Sequence, residues 1–263
     1  MTALGLVLLV PVLMWAAQSA ALAVSGRRAV PQLGGRDLPP SAQSALRVAT
    51  NVGLLAVIAS FPLLTGRAPL DYYVSLFPAA RAGDALLGLA AAVLFLALLY
   101  LAWLATGQVS FEVRHPGRRL VPRLLALVPT AVLVALVEEL LFRGVVLADL
   151  AADLGRWPAL LVGSLVFAAA HYVRRVKRYW TFPGHVALGV LFSAGYLLTD
   201  ALWLSCGLHA GGVLMLLGAR PFVRYHGPGW LVGASIYPYA GSVGVAALLA
   251  LAGTLALQLG GNP

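Results

Sequence analysis

The stretch Leu133-Val134-Ala135-Leu136-Val137-Glu138-Glu139-Leu140-Leu141-Phe142-Arg143-Gly144-Val145-Val146-Leu147 sets two adjacent carboxylates and a guanidinium inside an otherwise apolar run. Such flanks place the charges at membrane depth. An ionised carboxylate near the bilayer centre costs about 2.5–3.5 kcal/mol on insertion scales. Only nine of the 263 residues are Asp or Glu, so two of them here carry weight. Ionisable groups inside a membrane are functional-site candidates by default, and the question becomes what they face.

Composition agrees with that depth. The chain is 61% hydrophobic and 10% charged, against about 25% charged in ordinary soluble domains. This is the composition of an all-α, polytopic transmembrane bundle. At roughly 20 residues per span there is room for about eight helices. Hydropathy places them near Ala3–Val24, Val48–Leu64, Ala85–Thr106, Pro122–Asp149, Pro158–Tyr172, His185–Leu198, Leu202–Gly218 and Leu231–Leu259. Gly, Pro and Arg clusters punctuate them. The expected organisation is an N-terminal group of three helices within 1–110, a four-helix core within 120–218 and a last helix within 231–259. Met1-Thr2-Ala3 carries no positive n-region and the first apolar run exceeds 20 residues, which predicts a retained helix rather than a cleaved signal. The single Cys206 cannot form an intrachain disulfide.

The net charge of +9 has a topological reading. Arg27, Arg28, Arg36 and Arg47 follow the first span; Arg114, Arg118, Arg119 and Arg123 follow the third. Arg174, Arg175, Lys177 and Arg178 follow the fifth, and Arg220 and Arg224 the seventh. Of 18 basic residues only Arg67, Arg81, Arg143 and Arg156 fall elsewhere. The positive-inside rule then predicts alternate loops facing the cytoplasm and both termini facing away from it. The arginines are spread over loops instead of gathered on one face, which argues against nucleic acid and for anionic lipid headgroups as their partners.

This topology raises a question of depth. The fourth span enters near Arg123, which pushes Glu138 and Glu139 toward the far leaflet, whereas His171 precedes the basic run at the cytoplasmic end of the fifth. The segment from Leu120 to Leu154 is about 50 Å long if helical, more than the ~30 Å hydrocarbon core. Its register can therefore slide. With Pro122 and Pro129 in an interfacial lead-in and the span nearer 131–153, both glutamates come to the cytoplasmic half, level with His171.

Three apolar helices then supply chemistry. Glu139 and Arg143, four apart, share a face and can pair, while Glu138 is turned about 100° from Glu139. Phe167-Ala168-Ala169-Ala170-His171 repeats the spacing of four in the fifth span. Gly207-Leu208-His209-Ala210-Gly211-Gly212 sets a second imidazole among small residues that allow close helix contact. Two glutamates and two histidines can activate a water and polarise a carbonyl. Glu138, His171 and His209 are equally the donors of a divalent-metal site, zinc for example. Taken singly, the Glu–Arg pair reads as an interhelical clamp and each histidine as a packing residue; His185 is assigned to that packing class. The joint occurrence points to a site. No Gly-x-Ser-x-Gly elbow is present, and Cys206 lacks the partners of a thiol nucleophile.

The order Glu138-Glu139-x-x-x-Arg143, Phe167-x-x-x-His171, His209 resembles the CPBP group of intramembrane proteases, which includes the CAAX prenyl endopeptidases and bacterial self-immunity proteins. The resemblance covers roughly residues 120–218. It implies an intramembrane endopeptidase acting on a membrane-associated or lipidated peptide. It also implies roles: Glu138 activates water, His171 and His209 position it or stabilise the oxyanion, and Glu139 with Arg143 supports the site. In one place the chain departs from the pattern. The third motif usually ends in Asn or Asp four residues after its His, where this chain has Val213. A lost oxyanion donor is worth about 3–4 kcal/mol of transition-state stabilisation. The rival class is a non-enzymatic membrane protein, such as a carrier, immunity or scaffolding protein. Carriers commonly show two similar halves, whereas here the buried charges lie in the second half alone.

Overall fold

The computed structural model describes residues 2–27, 38–113, 117–172, 179–234 and 237–259. Arg28, Arg36, Arg114, Arg174, Arg175, Lys177 and Arg178 lie outside the described residues, as do the side chains of Arg118 and Arg119, so the topological reading of these charges is a matter of sequence alone.

The chain is helical almost throughout. Helices α1 (Thr2–Val24) and α2 (Pro40–Leu64) pair, the short α3 (Pro69–Ser75) follows, and α4 (Gly83–Ala105) returns. Then come α5 (Gly117–Leu125), α6 (Leu127–Glu139), a π-helical stretch Leu140–Leu147 and α7 (Ala148–Leu154). Helices α8 (Arg156–Ala170), α9 (Phe182–Thr199) and α10 (Trp203–Ala219) complete the core. A four-residue α11 (Gly229–Val232), a 3-10 turn Pro238–Ala240 and α12 (Ser242–Leu259) close the chain.

Among the described residues six helical segments are long and apolar enough to cross a membrane, by length and composition, and α8 and α10 are shorter apolar helices. Together they correspond to the eight segments read from hydropathy. Large apolar side chains stand exposed along α1, α2 and α4, for example Leu8, Trp15, Leu55, Leu63, Leu86 and Leu94. A surface of that kind is solvated by lipid. The protein is an integral membrane helical bundle.

Some boundaries differ from expectation for local reasons. The last span begins at Ser242 rather than near Leu231, because Gly233 turns at φ 76° and Pro238 follows, so no helix can run through. The fourth span is one helical run from Leu120 to Leu154 with two irregularities. Its break at Ala126 lies three residues before Pro129, whose ring cannot accept the carbonyl of Leu125 beneath it. The π stretch is the second.

Helix α9 is the most buried of the long spans and packs against α8, α10 and α12. Helix α10 lies against α4, α6 and α9. The α4–α10 seam is made backbone to backbone. A Cβ added at Gly207 would stand 2.1 Å from the Ala85 carbonyl oxygen, and one at Gly88 2.4 Å from that of Leu204. Gly211, four residues on, would place a Cβ 2.7 Å from the Leu89 oxygen. Without a hydrophobic drive between helices in lipid, such close approach is what holds them. At one end of these two helices β1 (Val109–Phe111) and β2 (Val223–Tyr225) pair antiparallel, with Val109 opposite Tyr225.

Candidate active site

Glu138 and Glu139 are the last two residues of α6, at the step from α to π geometry. Wide π turns arise mostly at functional sites, because the helix is otherwise more stable without them. This one is supported from outside: Tyr72 of α3 donates its hydroxyl to the Gly144 carbonyl at 2.5 Å. Gly144 itself leaves room for Leu76, whose Cδ1 a Cβ there would meet at 3.0 Å.

Glu139 and Arg143 are sealed from solvent, at 0% and 1% exposure. Arg143 Nη1 donates to Glu139 Oε1 at 3.1 Å, and Nη2 donates to the Gly189 carbonyl of α9 at 3.1 Å. Its guanidinium also lies over two rings, 4.7 Å from the centre of Phe167 and 5.2 Å from that of Phe192. A cation buried this deeply persists only when paired and hydrogen-bonded, and each of these contacts offsets lost hydration. Gly189 can approach because α8 presents Ser164 opposite it, where a Cβ would meet the Ser164 Cα at 2.8 Å.

The two histidines arrive from the other helices. His209 of α10 sets Nδ1 2.7 Å from Glu139 Oε1 and stacks on Phe192, with ring centres 4.8 Å apart and planes 16° apart. His171, capping α8, sets Nδ1 2.8 Å from the Phe167 carbonyl. A carbonyl oxygen only accepts, so the proton of a neutral His171 ring is on Nδ1. Glu139, paired to Arg143, accepts from His209 in the same way. Both rings therefore turn Nε2 the other way, and there they meet Glu138. Glu138 Oε2 lies 3.9 Å from His171 Nε2 and 3.8 Å from His209 Nε2. The Glu138 side chain is 30% exposed, in contrast to its sealed neighbour.

All five residues singled out in the sequence thus come together: Glu138, Glu139, Arg143, His171 and His209. The contact between Glu138 and His171 puts the middle of the long fourth helix level with the end of α8. Among the described residues no group of three or more His, Cys, Asp or Glu side chains is arranged to hold a metal ion.

Residues 120–215 match the family model described as type II CAAX prenyl endopeptidase Rce1-like. This segment is similar to Rce1-like domains. It takes up a little over a third of the chain and contains the whole Glu–Arg–His constellation. At family level the match implies a CAAX-type protease of the membrane. No curated protein and no solved structure matches the chain.

Two features of the matched segment were not read from the sequence. Glu139 serves His209 as well as Arg143, since the spacing of four residues shows only the partner on its own helix. His185, placed with the packing residues, has its ring centre 4.8 Å from that of His171. The one signal available was its position directly after Gly184, whose own packing against the Ala240 backbone admits no side chain (2.6 Å to Cα). Val213 is half-buried one turn beyond His209 on α10.

Proposed function

We propose that the chain is an intramembrane endopeptidase that cleaves a peptide bond with a water activated by Glu138. The observation that carries this reading is the pair of 3.8 and 3.9 Å separations from Glu138 Oε2 to the two Nε2 atoms. Polar groups at such a distance do not bond directly, and a bridging water fits between them. Zinc would find the right donor types in Glu138, His171 and His209. Ligands of one tetrahedral ion lie about 3.3 Å apart for bonds of about 2.0–2.1 Å, closer than either separation here, so no step is routed through a metal.

In the proposed reaction the Glu138 carboxylate takes a proton from the water as its oxygen attacks the peptide carbonyl carbon. The carbon becomes tetrahedral and its oxygen carries the negative charge. His209, whose Nδ1–H is held by the Glu139 carboxylate, is oriented to meet that charge when its Nε2 carries a proton. This is the orienting role that a buried carboxylate plays for imidazole in hydrolytic triads. The tetrahedral centre collapses, the C–N bond breaks, and the proton held by Glu138 passes to the leaving amine. His171 closes the other side, with its ring fixed by the Phe167 carbonyl and the Phe167 ring at 4.7 Å. The family match supports a membrane-associated, lipidated peptide as substrate, and the alternation of basic loops favours its presentation from the cytoplasmic leaflet.

The test is cleavage of lipidated peptides by the purified protein in liposomes, with products mapped by mass spectrometry. Glu138→Gln keeps the shape and removes the base, and is expected to abolish cleavage while the protein still inserts. His171→Ala and His209→Ala are each expected to cost at least about 10²-fold. Undiminished cleavage by Glu138→Gln would overturn the reading in favour of a structural role for these charges.

A further inference from the structure

The site does not end where the family match ends. His171 is held between two rings: Phe167 on one side, and His185 on the other at 4.8 Å with the planes 41° apart. His185 is in turn fixed at both nitrogens. Its Nδ1 stands 2.9 Å from the Thr181 carbonyl, which only accepts, so Nδ1 carries the proton. In the neutral ring Nε2 is then an acceptor, and the Tyr239 hydroxyl, 3.3 Å away, is its donor. Tyr172 completes the surround. Its hydroxyl lies 2.6 Å from Thr181 Oγ1 and 3.4 Å from His185 Nδ1.

Tyr239 belongs to the 3-10 turn Pro238–Ala240, well past residue 215, where the family match stops. Three close contacts hold that turn in place. A Cβ at Gly184 would meet the Ala240 Cα at 2.6 Å, one at Gly244 the Tyr239 Cα at 2.6 Å, and one at Gly233 the Pro238 Cα at 2.8 Å. Tyr239, His185 and Thr181 are all buried.

We propose that His185 and Tyr239 are positioning residues for His171, acting in the order Tyr239 hydroxyl, His185 ring, His171 ring. The relay presents a neutral, fixed ring face to His171 and keeps its Nε2 aimed at Glu138. This proposal rests on the reading of Glu138, His171 and His209 as the reacting centre. Its structural content, the orientation of His171, is separable from that reading.

Tyr239→Phe removes one hydroxyl and leaves every ring in place. Because misplacement by a fraction of an ångström is felt in the chemical step, kcat is expected to fall about tenfold. KM should stay at its wild-type value, and the melting temperature should fall by no more than the loss of one buried hydrogen bond explains. His185→Gln, which can still donate to Thr181 and accept from Tyr239, should retain the fold but show the same loss in kcat, because the ring face is gone. The second readout needs no turnover: the imidazole nitrogen NMR spectrum of ¹⁵N-histidine-labelled protein. His171 should show sharp signals of a single Nδ1–H tautomer in the wild type, and these should shift and broaden in both variants as the ring loses its fixed neighbour. An unchanged His171 signal in Tyr239→Phe would overturn the proposal, as would a kcat loss that merely tracks a lowered melting temperature. If the wild-type protein cleaves nothing but the His171 signal changes as expected, the positioning stands and the protease reading falls.

Discussion

Glu139 holds His209: the same Oε1 accepts the ring Nδ1–H at 2.7 Å and the Arg143 guanidinium at 3.1 Å. The carboxylate that was expected to pair with Arg143 and support the site is also the orienting partner of an imidazole. If the two act as a unit, their losses cannot multiply. Glu139→Gln and His209→Ala should each reduce kcat by about 10² or more, and the double variant should be hardly worse than either. Steady-state kinetics on the three proteins measures this. Multiplying losses would separate the two residues.

Stability should divide the adjacent glutamates. Arg143→Ala strands Glu139 in a sealed, apolar setting, and breaking a buried pair in this way costs about 3–5 kcal/mol. Glu138, 30% exposed and without a direct hydrogen-bond partner at Oε2, has far less to lose. Melting curves in detergent should show Arg143→Ala strongly lowered and Glu138→Gln close to wild type. A larger drop for Glu138→Gln would reverse the roles.

The α4–α10 seam offers a paired glycine test. An added methyl at Gly207 collides with the Ala85 carbonyl at 2.1 Å, whereas nothing lies within 4 Å of one at Gly212. Gly207→Ala should displace α10, and with it His209 two residues later, lowering both melting temperature and kcat. Gly212→Ala should leave both unchanged. Equal behaviour of the two would mean the helices can part at little cost.

Much of the site was legible because it is written in short intervals. Glu139 and Arg143, or Phe167 and His171, are one helical turn apart, and a turn is what periodicity resolves. The eight apolar segments were legible because each is a long run of apolar residues, which hydropathy detects without any knowledge of contacts. What was not legible depends on which helices touch. Glu139 meets His209 across 70 positions, and Tyr239 meets His185 across 54; no local pattern encodes either. The start of α12 was placed too early because the apolar Leu231, Val232 and Ala234 lead toward it in sequence. Only Gly233 at φ 76° and Pro238 show that the backbone turns there. The π stretch had no signature at all, since Leu140–Leu147 reads as ordinary apolar helix.

Sidedness is the remaining expectation to be checked. Single cysteines at Val113 and Tyr179, both exposed, should label from the cytoplasmic side, and one at Leu70 from the opposite side, in a Cys206-free background. Membrane-impermeant maleimide on intact and inverted vesicles reads this directly. Labelling of Val113 and Tyr179 from opposite sides would change the number of crossings between them by one.

The π turn between Leu140 and Leu147 also means that the fourth span carries an odd residue, in the sense that a clock carries a leap day. The wide turn takes up one residue more than an α turn does, so the helix beyond it keeps its phase. Losing one residue from the turn would leave an ordinary α-helix in that same phase, whereas losing one from α6 would bring everything downstream round by about 100°. Asp149 would then be turned away from the Ala3 amide at the start of α1, and Leu147 and Leu150 would leave the core. Length is therefore under tighter constraint in α6 than at the wide turn. Among natural variants, single-residue losses should fall within the turn and not in α6.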